Sequence, residues 1–189
     1  MIHTSELVRK LIHLFNLIIP FTYLFYLNTK LDALIFLVPI TLFAFLIEYL
    51  RKNSINVKSF FEKYLLSMLR IHEIRGGYTG ATWVFIASTL SIAIFPKEIA
   101  VMSLIFMSVG DTTAGLIGRK FGRLIFYNKT LEGTLSGFII CLIIGLIMDL
   151  NLADIIIIFG ALSAMIIELI PTSFDDNLTI PLFSGTIMY

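Results

Sequence analysis

Long apolar stretches follow one another along the chain with few interruptions. Leu11–Thr29, Gly76–Phe95 and Gly133–Met148 contain no Asp, Glu, Lys or Arg. Ala33–Tyr49 is broken only by Glu48, Ile99–Gly118 only by Asp111, and Ile155–Phe174 only by Glu168. A last apolar stretch, Asn177–Tyr189, is 13 residues long. About 20 apolar residues are needed to carry a helix across roughly 30 Å of hydrocarbon. Backbone in lipid is satisfied only by helices or closed barrels, and the period-two alternation of barrel strands is missing. The pattern predicts an all-α, polytopic transmembrane helical bundle of six spans. A short seventh helix enters the bilayer without crossing it. The first stretch has no small-residue cleavage site after it and the next follows almost at once, so it reads as a span and not as a signal peptide.

One segment keeps a different rhythm. Between Arg51 and Arg75, the residues Val57, Phe60, Phe61, Tyr64, Leu65, Met68, Leu69 and His72 recur at helical spacing, with Lys58, Glu62, Lys63, Arg70 and Glu73 opposite. This predicts an amphipathic helix lying at the membrane surface, an anchor in its plainest role and a lid or lipid gate in a second.

Composition agrees. Of 189 residues 58% are apolar and 14% charged, against about 45–50% and about 25% in soluble domains; the mean hydropathy is +0.93. A single cysteine, Cys141, inside an apolar run excludes a disulfide scaffold, and a net charge of +1 implies no general attraction to nucleic acid. The charge is distributed unevenly. With the N-terminus inside, 12 of the 14 basic residues face the cytoplasm and only Lys30 and Lys97 do not. The expected setting is an integral cell-membrane protein of one domain, residues 1–189, working at its cytoplasmic face. Oligomeric state is left open, with an oligomer allowed.

The unusual charges gather at that face. Asp111 lies inside a span, where a carboxylate costs at least about 2.5 kcal/mol and marks a functional-site hypothesis. Gly110, Gly115 and Gly118 flank it, and Arg119, Lys120, Arg123 and Lys129 follow. A carboxylate for a metal, glycines for close approach and cations for phosphate oxygens together suit a nucleotide-phosphate site. A glycine packing seam and the positive-inside rule are the plainer alternatives. Lys129 and Glu132 bracket the start of the fifth span, Lys129 toward a phosphate and Glu132 toward a metal or the nucleotide. Thr130 or Thr134 is placed to cap that helix. Glu6, Arg9, Lys10 and His13 share one helix face, either snorkelling or facing the same cavity as Asp111. Asp175, Asp176 and Asn177 form either a polar turn or, with Glu168 one or two turns earlier, a Mg²⁺ site.

Four blocks in order carry a resemblance: E-x-x-R-K-x-x-H (Glu6–His13), G-D-T-x-A-x-x-x-G-x-x-x-G (Gly110–Gly122), K-T-x-E-G-T (Lys129–Thr134) and D-N-L-x-x-P (Asp176–Pro181). They resemble the polyprenol (dolichol), phytol and diacylglycerol kinase family, and more distantly the CDP-lipid cytidylyltransferases. The resemblance implies transfer of the terminal phosphate of CTP to a membrane lipid alcohol, with Mg²⁺. It implies Asp111, Lys129 and Glu132 as catalytic residues, Asp111, Glu132 and Asp176 as metal ligands, and Asn177, Glu6, Arg9 and His13 as site residues from the outer blocks. With the residue reading, Arg119, Lys120, Arg123, Lys129, Gly115, Gly118, Thr130, Arg9 and His13 are the expected nucleotide contacts. A polyprenol is the favoured acceptor, on a compositional bias toward Ile, Leu, Asn and Lys. The rivals are a cytidylyltransferase making a CDP-activated lipid, and a small ion-coupled transporter with Asp111 and Glu168 as its sites.

Overall fold

The computed structural model describes residues 4–65, 68–74 and 76–189. It is an all-α membrane bundle with one two-stranded ribbon. In chain order the helices are α1 (Thr4–Phe15), α2 (Ile18–Phe25), α3 (Lys30–Asn53), α4 (Ile55–Tyr64), the single turn α5 (Ile71–Ile74), α6 (Gly80–Ile94) and α7 (Lys97–Ile105). A π-helical turn, Phe106–Gly110, joins α7 to α8 (Asp111–Phe121). The ribbon β1 (Ile125–Phe126) and β2 (Lys129–Thr130) leads into α9 (Leu131–Met148), α10 (Asp154–Leu169) and α11 (Asp176–Met188).

Among the described residues, four helical stretches are long and apolar enough to cross a bilayer: Glu6–Phe25, Lys30–Asn53, Lys97–Phe121 and Leu131–Met148. The third and sixth expected spans are shorter helices, 15 residues in α6 and 16 in α10. Residues 76–79 precede α6 as non-helical chain. α10 stops at Leu169 because Pro171 disfavours helical backbone at Ile170, which is extended (φ −80°, ψ 130°). The first span is broken between α1 and α2. Pro20 has no N–H for the Asn16 carbonyl, which accepts from Ile19 N instead (3.0 Å).

The stretch α7–π–α8 is the axis of the bundle. Every residue from Ile99 to Ser108 is buried, with α2, α6 and α11 around α7 and α9 against α8. A helix that is apolar all round has to be buried or face lipid. The outer helices take the second course: Ile35, Phe36, Phe43 and Leu135 are among many large apolar side chains left exposed. α8 and α9 approach closely because Gly118 and Gly133 face each other; a Cβ on Gly133 would stand 2.5 Å from the Ala114 carbonyl oxygen.

The long amphipathic helix expected after Arg51 is cut short. α4 ends at Tyr64 and buries no side chain. Instead of continuing along the surface, the chain turns inward, so that Leu65, Met68 and Leu69 line a cavity. Leu66, Ser67 and Arg75 of that reading lie outside the described residues, as does the side chain of His72.

Candidate functional site

The second and last turns of α1 carry Lys10 and His13 against Asp111. Lys10 Nζ donates to Asp111 Oδ2 at 2.8 Å and to the Asp111 carbonyl at 2.9 Å. His13 Nε2 lies 3.2 Å from Asp111 Oδ2 and 3.2 Å from the Met107 carbonyl. All three side chains are buried, and an unpaired carboxylate at such a place would cost several kcal/mol. Lys10 reaches it over Gly115, where a Cβ would stand 2.8 Å from the ammonium nitrogen. The π-helical turn ends at the residue before Asp111; such turns collect at functional sites. Glu6, one turn before Lys10, pairs with Arg9 and with Arg119 (3.0 Å), fastening α1 to α8.

A second set of charges meets at the ends of β2, α10 and α11. Lys129 Nζ is 2.9 Å from Asp176 Oδ2 and 3.1 Å from Glu168 Oε1, and also donates to the Glu168 carbonyl. Burial alone would lower the pKa of this ammonium, but the Asp176 and Glu168 carboxylates outweigh it and hold it above the ordinary lysine value. Asp175 caps α11 by accepting from Asn177 N (3.0 Å), and its other oxygen accepts from Arg70 Nη1 (2.9 Å). Burial lowers the Arg70 pKa, and the charges of Asp175, Asp111, Asp176 and Glu73 more than restore it.

Two cavities open on these groups. The first, about 560 Å³, has Arg9, Lys10, His13, Asp111 and Asn177 in its lining. Asn16, Arg70, Glu73, Thr79 and Thr82 also line it, and the rest of the wall is apolar, with Ile12 from α1, Ile40 and Phe43 from α3, and Val84 and Phe85 from α6. The second, about 610 Å³, contains Lys129, Asp175 and Asp176 together with the rings of Tyr78, Trp83 and Tyr127. Arg70 lines both.

A third network braces the chain between them. Buried Glu48 accepts through Oε1 from Thr79 N and Oγ1 (both 2.7 Å) and from Thr82 Oγ1 (3.0 Å), and through Oε2 from Arg51 Nε (2.9 Å). Arg51 donates to the carbonyls of Glu73 (2.9 Å) and Gly77 (2.5 Å). Glu73 in turn accepts from Gly80 N and Arg70 N, both at 2.7 Å. The turn bearing Arg70 is thereby tied to α3 and α6.

The structure distributes the expected site residues over two cavities where the sequence suggested one. Arg9, His13, Asp111 and Asn177 line the first, with Glu6 behind Arg9 and Gly115 beneath Lys10; Lys129, Asp175 and Asp176 line the second, with Glu168 behind Lys129. Thr130 caps α9 by accepting from Gly133 N (3.2 Å), and Gly118 packs against the Thr130 side chain. Lys120 and Arg123 are exposed and line neither cavity, Lys120 lying 5.0 Å over the Phe121 ring. Glu132 lines neither; it accepts from Leu124 N at 3.1 and 3.2 Å and so holds the turn after α8. Lys10 was expected either to snorkel or to face the cavity of Asp111, and the structure pairs it with Asp111 directly; Arg70 and the joined network of Glu48, Arg51 and Glu73 were not expected as parts of the site. Their sequence signal is slight: Glu48/Arg51 and Arg70/Glu73 are both spaced i, i+3 at the edge of the membrane.

No family model matches the chain, and no solved structure matches it. Among curated proteins it is 28% identical to CTP-dependent diacylglycerol kinase 1 of Schizosaccharomyces pombe, over 77% of this chain and 75% of that protein. The chain is similar to CTP-dependent diacylglycerol kinases. An uncharacterized protein of Rickettsia prowazekii is 26% identical over 94% of this chain and 90% of its own length. A probable chloroplastic phytol kinase of Oryza sativa subsp. japonica is 31% identical over 54% of this chain and 39% of its own.

Proposed function

We propose that the protein is a CTP-dependent lipid kinase, transferring the terminal phosphate of CTP to the hydroxyl of a membrane lipid alcohol. One observation carries the proposal: a mainly apolar cavity lined in part by the buried Asp111 carboxylate adjoins a cavity with aromatic rings and Lys129, and the two share a single arginine. The first suits a lipid whose tail stays in hydrocarbon while its hydroxyl reaches Asp111. The second suits a nucleotide, with rings for a base and Lys129 for phosphate oxygens. Similarity to CTP-dependent diacylglycerol kinases supports both donor and reaction class.

In this reading the hydroxyl oxygen forms a bond to the terminal phosphorus. The bond from that phosphorus to the bridging oxygen breaks, its electron pair leaving with CDP, and Asp111 takes the hydroxyl proton. Lys10 and His13 fix the orientation of Asp111, and positioning with charge stabilisation supplies most of the rate. Glu132 acts at a distance by holding the turn before Lys129. Mg²⁺ is part of the proposal. Among the described residues no three His, Cys, Asp or Glu side chains converge as a metal cage. Such an ion would be held by Asp176 at the nucleotide cavity together with the nucleotide's own phosphates, leaving Asp111 to act as the base. When bound, it would offset phosphate charge.

The relatives' names speak for diacylglycerol or phytol as acceptor, and the sequence leaned toward a polyprenol; the apolar wall accepts all three chemically. The working face is proposed to be cytoplasmic, on the distribution of Lys and Arg. The test is CTP turnover by the purified protein in liposomes containing one alcohol at a time. CDP released only with an alcohol present, and lost in Asp111→Asn, supports the reading. Pyrophosphate release, or no lipid-dependent turnover, overturns it.

A further inference from the structure

Arg70 stands where the two cavities meet and, among the described residues, is the one that lines both. Its side chain is 28% exposed, and Asp175 holds it by one nitrogen, Nη1, at 2.9 Å. Among the described residues, Nε and Nη2 make no hydrogen bond. The backbone beneath is pinned twice over: Arg70 N donates to Glu73 Oε2, and Glu73 Oε1 holds Gly80 N, each at 2.7 Å. The guanidinium is thus fixed in place by one edge while its other donors remain for a ligand. Its field reaches Asp111 in one cavity and Asp175 and Asp176 in the other.

We propose that Arg70 is a catalytic residue of the phosphoryl transfer, its free guanidinium edge holding the equatorial oxygens of the phosphoryl group as it passes from the nucleotide cavity to the lipid cavity. This rests on the lipid-kinase reading above. The geometry suits the chemistry. In the transition state negative charge spreads over three equatorial oxygens while the attacking and leaving oxygens lie in line. A planar fork can span two of these oxygens at once, and a lysine cannot. Arg70 neither gains nor loses a proton. It makes its strongest contacts midway between donor and acceptor, so its contribution falls on kcat more than on binding of either substrate.

The test compares wild type, Arg70→Ala, Arg70→Lys, Asp175→Asn and Asp111→Asn, using CTP and the alcohol that serves wild type best. Arg70→Ala is expected to lose about 10³-fold in kcat, with KM for CTP changed less than about 10-fold. Arg70→Lys recovers little of the loss, and methylguanidinium added to Arg70→Ala restores part of it. Asp175→Asn, which leaves the fork present but less well held, falls between Arg70→Ala and wild type. A kcat within about fivefold of wild type in Arg70→Ala, while Asp111→Asn is inactive, overturns the role of Arg70 and leaves the kinase reading standing. So does a loss equal in Arg70→Ala and Asp175→Asn without rescue, because the pair would then matter only as a strut. Should Arg70→Ala not fold, Arg70→Lys carries the comparison: full activity overturns the proposal, and a loss of about 100-fold or more with unchanged nucleotide KM supports it. Failure of the underlying reading looks different, as wild type itself would then show no lipid-dependent CDP.

Discussion

Replacing Gly133 by alanine tests how the site is held together. Gly133 is in the first turn of α9, four residues after Lys129, and it faces the backbone of α8, which begins with Asp111. An added Cβ would lie 2.5 Å from the Ala114 carbonyl oxygen and 3.1 Å from Gly118 Cα. Ordinary contact begins near 3.4 Å, so α9 has to withdraw from α8 by roughly 0.9 Å at the closer point, and backbone on both sides leaves no side chain to give way. Overpacking of this kind costs about 1–3 kcal/mol. The displacement also separates Asp111 from Lys129, and a misplacement of about 1 Å can cost about 10²-fold in rate. The expected result in detergent is a lower unfolding temperature together with about a 100-fold loss of CDP formation. Leu135→Ala, on the lipid-facing side of α9, should change neither by much. Wild-type stability and turnover in Gly133→Ala would refute the contact itself. Lost stability with full turnover would refute the argument that the α8–α9 distance sets the rate.

Other outcomes follow from the charge networks. Glu48→Gln leaves Arg51 buried without its anionic partner and should lower stability by about 3–5 kcal/mol, read as proteolytic resistance in detergent; loss of the exposed Lys58–Glu62 pair should cost under about 1 kcal/mol. The Lys129 pKa is raised above its unfolded value, so the stability contributed by its pairs is fully present below about pH 10.5 and is lost as pH rises through the higher folded value. Wild type and Lys129→Arg should therefore show pH–rate profiles of the same shape between about pH 7 and 10. A basic limb in that range, present in wild type and absent from Lys129→Arg, would contradict this.

The bundle was legible because hydrophobic runs answer directly to the thickness of a bilayer. The ends of those runs were not. Apolar character continues past Leu169 to Phe174, yet Pro171 ends the helix, and Gly76–Thr79 reads as span although Thr79 spends its N–H on Glu48. Asp111 stood out because a carboxylate among apolar neighbours has no cheap explanation. Its partner Lys10 lies 101 positions away, and the shared helix face of Glu6, Arg9, Lys10 and His13 suited snorkelling as well as the Asp111 cavity. The division into two cavities was hidden for a similar reason: Arg70 belongs to a segment whose periodicity suggested a surface helix, and only its contacts with Asp175 and Glu73 turn it inward. Lys120 and Arg123 are next to the site in sequence, yet both are exposed and line neither cavity, because a helix end turns successive side chains in different directions.

The central claim is tested most directly by identifying the nucleotide product. Purified protein in liposomes, with Mg²⁺, CTP and a single alcohol (diacylglycerol, phytol or a polyprenol), should release CDP in equal amount to a phosphorylated lipid, and Asp111→Asn should release none. Pyrophosphate in place of CDP, or CDP release indifferent to the alcohol and to Asp111, would contradict the account.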